Sequence, residues 1–484
     1  MDSRDCGRTR KLLRMANTNG EEAEEEPLSP TARLFHEPRF NCHVIAIMGS
    51  AKKIDFGSIK AGLEQTLVRH PRFSSVQVFS EGKLGRWVPT KVVVDDHCVF
   101  PDLDPDMPDP DGFVEDYVAA LTGTAMDTSK PMWELHALNV KTKEAEAVAI
   151  LRAHHSLGDG TSLVSLLLAC TRKTSDPDSL PAAVRVSERS RSPPSMLKAT
   201  SGTFWMLLRV VLNTIVDVCF FLATYLFLRD TETALKGAEG VEFRPKRIVH
   251  RTLELDEFKL IKTELDATIN DVMLGVTSAG LSRYLSRTTY SAGGDHLPKN
   301  ALVRATILVN IRPTPGFQVM AKMMESRSTG SQWGNWLGYV LLPIPIVLYE
   351  DPLDYVRKAK AIADRKKLSF ESLFTFASSA MLVSTFGIKA AAALSHRVIC
   401  NTTLSFSNLV GPAEELSFAG HPITFLAASA YGHPHALTVH FQSYMDKVKM
   451  VLAVDEEAIP EPHQLLQDLA DSLGRIKVAV LAKR

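Results

Sequence analysis

The sequence predicts an α/β protein built from two similar halves. Its 484 residues are too many for one hydrophobic core, so we expect two domains with appendages. Strand-like and helix-like segments alternate on both sides of a polar stretch that is rich in Ser, Pro and Arg. No short repeat is present, but the two α/β blocks are comparable in size, which favours a two-lobed architecture.

The composition excludes several classes of protein. Hydrophobic residues make up 45% of the chain and charged residues 23%, as in ordinary globular proteins. Lys+Arg and Asp+Glu both total 55, so the charge gives no reason to expect a nucleic-acid partner. The six cysteines form no CxxC pair, which indicates a reducing compartment and neither a disulfide framework nor a metal site.

The first half of the chain is expected to begin with a tail. Residues 1–26 change from basic to acidic without an apolar segment, which predicts a disordered arm and no secretory signal. An N-terminal lobe is expected over residues 27–172. Within it, the hydrophobic pattern predicts strands over 42–48, 87–94 and 147–153, and a helix over 56–69.

A polar linker over 173–203 precedes an apolar segment over 204–228. About 20 residues suffice to cross a bilayer, but this segment contains Arg209, Asn213 and Asp217, and a central Asp costs about 3 kcal/mol on insertion. A single span would also separate two halves that share one active site. We therefore predict a membrane-associated helix that lies in or dips into the interface, with a true span and a buried core helix as alternatives.

A C-terminal lobe is expected over residues 245–484. An apolar window at 373–394 is predicted to be a core helix of small residues. The remaining pattern predicts strands over 247–255, 301–311 and 436–444, and helices over 256–265 and 269–285.

The segment HHSLGDG, from His154 to Gly160, follows a buried strand. Adjacent strand residues point to opposite faces, so the two histidines cannot share a metal unless the backbone turns between them. Asp159 could cap the apolar helix that follows. Alternatively, one histidine could accept a proton from a hydroxyl group at neutral pH while Asp159 holds the loop, through an Arg partner for instance.

This segment resembles the HHxxxDG motif of the coenzyme A-dependent acyltransferase superfamily, which includes chloramphenicol acetyltransferase and peptide-synthetase condensation domains. Seven further segments, in the expected order, narrow the resemblance to the wax ester synthase/diacylglycerol acyltransferase family. PLSP (Pro27 to Pro30) resembles the substrate-side motif of that family. Six segments resemble its plant branch: HPRFSS (His70 to Ser75), KPMWELHAL (Lys130 to Leu138), TINDVMLG (Thr268 to Gly275), LVNIRPTPG (Leu308 to Gly316), GNWLGYVLLPIPI (Gly334 to Ile346) and SNLVGP (Ser407 to Pro412).

The resemblance implies two chloramphenicol-acetyltransferase-like lobes with an active-site tunnel at their interface. His155 would be the general base, and His154 and Asp159 would shape its loop. The residues implied in substrate binding are Pro27, Leu28, Ser29, Asn270, Asp271, Asn408 and Gly411.

For some of these residues the pattern also allows a structural role. Asn270 could be the N-cap of a helix over 271–285, and Asn408 to Gly411 could form a Gly-Pro turn. His433 and His435 are predicted to lie in a turn.

The implied activity is transfer of a fatty acyl group from acyl-coenzyme A, as co-substrate and without a cofactor, to a long-chain alcohol or diacylglycerol. We expect a membrane surface as partner, at the cytosolic face of the endoplasmic reticulum or at the plasma membrane. Two alternatives stay open: a condensation-type amide-forming enzyme, and a non-catalytic lipid-binding or scaffold protein of the same fold.

Overall fold

A computed structural model describes residues 26–79, 85–104, 106–181, 199–291, 300–312 and 333–483. The predicted arm falls outside these residues except for Glu26, and so does most of the predicted linker. The described residues form helices and mixed sheets, which confirms the predicted α/β class.

The N-terminal lobe is built on a sheet with helices on both faces. The N-terminal part of the chain contributes five strands to this sheet: β2 (His43–Ser50), β5 (Cys98–Val99), β6 (Trp133–Leu138), β7 (Ala147–His154) and β8 (Arg172–Lys173). A smaller sheet beside it contains β1 (Glu26–Pro27), β3 (Ser75–Val78) and β4 (Arg86–Pro89). The helices are α1 (Pro30–Leu34), α2 (Phe56–Gln65), α3 (Pro110–Thr122) and α4 (Gly160–Cys170).

The C-terminal block contributes to both lobes. Its own sheet has the order β11-β10-β12-β15-β16-β9 in the described residues. These strands are β9 (Arg247–Glu254), β10 (Arg304–Asn310), β11 (Leu337–Pro343), β12 (Leu404–Val410), β15 (Leu437–Tyr444) and β16 (Lys447–Val454). They pack against α6 (Leu255–Glu264), α7 (Ile269–Ser291), α8 (Leu353–Lys367) and α11 (Pro462–Leu481).

Two strands cross from the C-terminal block into the N-terminal sheet. These strands are β13 (Leu416–Phe418) and β14 (His421–Tyr431), and the N-terminal sheet has the order β5-β6-β7-β2-β14-β13-β8. The boundary predicted for the C-terminal lobe therefore does not hold for this segment. The hydrophobic alternation of β14 predicts a strand but not its partner, because pairing with β2 is a contact between residues that are far apart in the chain.

The apolar segment after the linker is one helix, α5 (Ala199–Leu226). Among the described helices, only its part over Phe204–Leu226 is long and apolar enough to cross a membrane. The second apolar window is not one core helix, because Gly387 adopts a left-handed conformation (φ 82°) and divides it. The result is a hairpin of α9 (Glu371–Phe386) and α10 (Ile388–Cys400), which packs against β11 and α5.

Candidate active site

The HHSLGDG segment forms a tight connection between β7 and α4. The strand ends at His154, a single 3-10 turn covers His155–Leu157, and α4 begins at Gly160. Asp159 is the N-cap of α4, since its Oδ1 accepts a hydrogen bond of 3.0 Å from the Ser162 N–H. The backbone turn after His154 sends the two histidine side chains to different environments.

His154 is a buried structural residue. Its Nε2 donates to the Phe35 carbonyl at 3.0 Å, and its Nδ1 accepts from the Ser156 hydroxyl at 2.6 Å. Burial holds the pKa of His154 well below its ordinary value, and the nearby His36 and His43 lower it further. The ring therefore stays neutral and locks the loop, as expected for a residue that shapes it.

His155 lines a cavity of about 390 Å³ between the two lobes. The ring of Phe35 lies against it, with a centroid separation of 4.5 Å, and the Asn335 amide donates to the His155 carbonyl at 3.0 Å. Burial lowers the pKa of His155, although its own carbonyl and Asp159 oppose the shift. The imidazole is therefore neutral at physiological pH and available as a base.

Asp159 connects the loop to the C-terminal block. Its carboxylate lies 2.7 Å from Arg312 Nη2, and both side chains are buried. Its Oδ2 also accepts from the Trp336 N–H at 3.1 Å. Asp159 does not line the cavity, so its contacts fit the expectation that it holds the loop through an arginine.

The predicted substrate-side motif is divided between cavity and core. Pro27 and Ser29 line the cavity, and Ser29 also caps α1 by accepting from the Ala32 N–H at 3.2 Å. Leu28 packs instead into the core of the N-terminal lobe. This alternation follows from the extended backbone at this point, which sends neighbouring side chains to opposite sides.

Asn270 and Asp271 do not line the cavity. The predicted N-cap at Asn270 is wrong, because α7 begins at Ile269 and Thr268 exchanges two hydrogen bonds with Asp271 in a capping box. The Asp271 Oδ1 atom lies 3.7 Å from Lys367 Nζ. The geometry of this pair thus fits the start of a helix and gives no support to a position across the cleft.

The segment from Asn408 to Gly411 belongs to strand β12 and the connection after it, and not to the cavity lining. Asn408 lies in β12 and pairs with Phe441 of β15, and neither Asn408 nor Gly411 lines the cavity. A Cβ atom at Gly411 would lie 2.1 Å from the Ser443 carbonyl oxygen, so only glycine fits there. Leu409, between them, packs against Gly160 at the start of α4.

Two residues of the cavity lining, His433 and His435, lie in a segment for which the sequence predicts only a turn. His433 and His435 line the same cavity as His155. His435 is 3% exposed, and its Nε2 lies 2.9 Å from the Thr402 hydroxyl. Among the described residues its buried Nδ1 has no hydrogen-bond partner. The sequence signal for these residues was the presence of two histidines in one turn. Whether their side chains point into the cavity depends on the path of the β14–β15 connection.

Comparisons with known proteins identify the family. The model of the wax ester synthase/diacylglycerol acyltransferase catalytic domain matches residues 106–273, and that of the WS/DGAT C-terminal domain matches 333–477. The chain is 49% identical over 480 residues to wax ester synthase/diacylglycerol acyltransferase 11 of Arabidopsis thaliana, covering 96% of this chain and 97% of that protein.

Solved structures share the fold at low sequence identity. A wax ester synthase/diacylglycerol acyltransferase from Marinobacter aquaeolei VT8 matches with a TM-score of 0.59 and 17% identity, over 94% of this chain and 99% of its own. The first condensation domain of the CDA synthetase matches with a TM-score of 0.59 and 12% identity, over 95% and 97%. The predicted two-lobed fold is thereby confirmed, and the chain belongs to the wax ester synthase/diacylglycerol acyltransferase family.

Proposed function

We propose that the protein transfers a fatty acyl group from acyl-coenzyme A to the hydroxyl group of a long-chain alcohol or a diacylglycerol, with His155 as general base. The observation that carries this proposal is a buried histidine that lines a cavity between the two lobes and whose pKa is lowered by burial. The names of the relatives supply the substrate classes.

The reaction needs only one proton carrier. His155 takes the hydroxyl proton while the oxygen attacks the thioester carbon, so that a C–O bond forms. The tetrahedral intermediate then collapses, the C–S bond breaks, and the imidazolium returns its proton to the thiolate of coenzyme A. Both reactants are held in one cavity, which lowers the entropic barrier and keeps out the water that would hydrolyse the thioester.

The test of the base assignment is removal of the imidazole. A positioned base typically contributes about 10²–10⁴ in rate, so His155→Ala and His155→Gln should each lower kcat at least about 100-fold. The assay follows free thiol and ester from palmitoyl-coenzyme A and a long-chain alcohol. His463→Ala, at an exposed histidine of α11, is the matched control. Near-normal turnover by a folded His155→Gln protein would refute the assignment.

The same assay decides between the proposal and its alternatives. Product formation with a long-chain amine, and none with an alcohol, would favour the condensation-type reaction. Binding of acyl-coenzyme A without turnover by the unaltered protein would favour a lipid-binding or scaffold role.

We also propose that α5 lies along the membrane surface. Two of its polar side chains face the C-terminal lobe: Asn213 donates to the Leu368 carbonyl at 3.0 Å, and Asp217 is fully buried, 2.6 Å from Arg365 and 2.9 Å from Lys366. The lobe thus satisfies two of the three groups that would be costly in lipid, and the third, Arg209, is exposed, where a long side chain can reach the polar headgroups. A helix docked against one lobe in this way does not separate the lobes.

The exposed surface of α5 is mostly apolar, as shown by Trp205 (61% exposed) and Ile215 (54%), with Arg209 as an exposed charge. The neighbouring helix α9 adds Met381 (61%) and Phe386 (70%). Exposed apolar surface on two adjoining helices is typical of a membrane-binding face. The surface of the endoplasmic reticulum on its cytosolic side is the proposed location, with the plasma membrane as the alternative.

Vesicle binding tests the membrane proposal without disturbing the fold. Leu212→Glu with Ile215→Glu should reduce co-sedimentation with phosphatidylcholine–phosphatidylserine vesicles at least tenfold, because two exposed apolar side chains that would insert into the lipid are replaced by charges. Val478→Glu, at an equally exposed valine of α11, is the control. Unchanged sedimentation of the double variant would contradict the proposal.

A further inference from the structure

The central strands of the N-terminal sheet are packed unequally on their two faces. On β2, Ile45 and Ile47 are fully buried, whereas Ala46 and Met48 on the other face are only half-buried. The same alternation occurs on β7 and at the end of β14. A central strand with helices on both faces should be buried on both, so space remains between this sheet and the helices α2 and α4 that cover it.

The space is produced by small side chains in register. Ala46 of β2 lies between Leu151 of β7 and Ala428 of β14, and the next pair of residues down the sheet brings Met48 beside Ala149. These residues line an apolar cavity of about 160 Å³, whose opposite wall includes leucines of α4. Larger side chains at these positions would fill the layer, whereas alanines leave an apolar channel. Such a channel is an unfavourable site for water.

The channel and the active-site cavity lie beside neighbouring positions of the same strands. On β14, Ala430 lines the active-site cavity and Ala428, two residues away on the same face, lines the channel. On β7, the channel residue Ala153 is two positions before His155. The relation on β14 follows from the two-residue period of a strand, whereas His155 lies in the turn directly after β7.

Its length suits a lipid tail. His155 lies six positions after Ala149 in the chain, and six residues of extended strand span about 20 Å. One leaflet of the hydrocarbon core of a bilayer is about 15 Å thick, which is the reach of one long alkyl chain. The lining contains few polar side chains. Ser50 donates to the Lys52 carbonyl at 2.7 Å, and the His421 Nε2 atom accepts from the Asp55 N–H at 2.9 Å. Among the described residues, the buried His421 Nδ1 and Gln442 Oε1 atoms have no hydrogen-bond partner.

We infer that this channel, between the N-terminal sheet and α4, binds an unbranched alkyl chain whose reacting end lies at His155. The inference rests on the proposed function and adds a binding site within one lobe. The chain belongs either to the acyl group or to the alcohol. The depth of the channel then sets the preferred length, since each buried methylene improves binding about fourfold.

Closing and deepening the channel should have opposite effects. Ala46→Leu fills the middle of the channel and should lower the ratio of kcat/KM for C16 over C8 substrates at least tenfold, with C8 turnover retained. Met48→Ala lengthens the far end and should move the optimum to longer chains. Ala479→Leu, the same change at a half-buried site of α11 in the other lobe, should leave the ratio unchanged.

Two series of substrates identify the chain that occupies the channel. Acyl-coenzyme A length is varied with one alcohol, and alcohol length is then varied with one acyl-coenzyme A. A changed preference in one series only assigns the channel to that chain. Unchanged preferences in both series for Ala46→Leu would overturn the inference.

Ligand binding separates this result from failure of the proposed function. If the unaltered protein forms no ester, thermal stabilisation by free fatty acids of C8 to C18 is measured instead. Stabilisation that grows with length in the unaltered protein, and stops growing in Ala46→Leu, supports the channel without catalysis. Equal length dependence in both proteins would overturn it.

Discussion

The two lobes use similar sheets for different purposes. In the C-terminal lobe, strands β15 and β16 are buried on both faces, and helices α7 and α11 fill the layer beside them. In the N-terminal lobe, the central strands are buried on one face and only half-buried on the other, along the proposed channel. The lobe that carries the HHSLGDG loop is therefore packed less tightly beside its central strands than the other lobe.

The largest expected change in unfolding free energy concerns the ion pair between Asp159 and Arg312, which joins the two halves. Asp159→Ala leaves Arg312 without its carboxylate in a buried site and should cost about 3–5 kcal/mol of unfolding free energy. Urea unfolding measures this loss, and Asp256→Ala, at an exposed acid of α6, is the control. A loss below about 1 kcal/mol would mean that the loop is held by other contacts.

The packing difference itself is tested by one substitution made in each lobe. Leu452→Ala, in the closed core of β16, should cost about 2–5 kcal/mol, because it leaves a cavity among fully buried neighbours. Leu151→Ala, facing the open channel of β7, should cost roughly half as much or less, since the space beside it already exists. Equal losses in chemical unfolding would break the comparison.

A smaller effect is expected at the start of α7. Thr268→Ala removes one half of the capping box with Asp271 and should cost about 1 kcal/mol in chemical unfolding, as N-cap substitutions do. Thr268→Ser keeps the hydroxyl group and should restore most of the loss. Destabilisation by Thr268→Ser as large as that by Thr268→Ala would contradict the capping assignment.

The smallest effect lies in the pH dependence of turnover. Burial lowers the pKa of His155, so the base stays neutral to a more acidic pH than a free histidine, whose pKa is about 6.5. As pH falls, log kcat/KM should therefore decline only below 6.5. A decline that begins above pH 6.5, in a protein shown by circular dichroism to be folded there, would contradict the lowered pKa.

Much of the fold could be predicted because local patterns specify it. The strand predicted over 147–153 is found at Ala147–His154, and the helix predicted from Ile269 begins there. The crossing strand β14 could not be predicted, because hydrophobic alternation gives a strand its faces but not its neighbours. The hairpin was missed because the left-handed turn at Gly387 looks in sequence like one more small residue in an apolar run.

For the candidate site as well, some features could be predicted from the sequence and others depend on the tertiary structure. The family resemblance of the motif indicated His155 as the base, and an arginine partner was one suggested way for Asp159 to hold the loop. That this arginine is Arg312, and that His433 and His435 share the cavity, depends on how the two halves meet. The role expected for Asn270 and Asp271 in substrate binding remains a prediction that the geometry does not support.

By itself, the sequence determined the α/β class, the family and the presence of one long apolar helix, and it indicated His155 as the candidate base, since each depends on residue type and local spacing. The tertiary structure decided which face of α5 is apolar, which strand completes the N-terminal sheet, and where the channel beside β2 runs. These features arise from contacts between distant segments. The composition of one segment does not specify the segment that will pack against it.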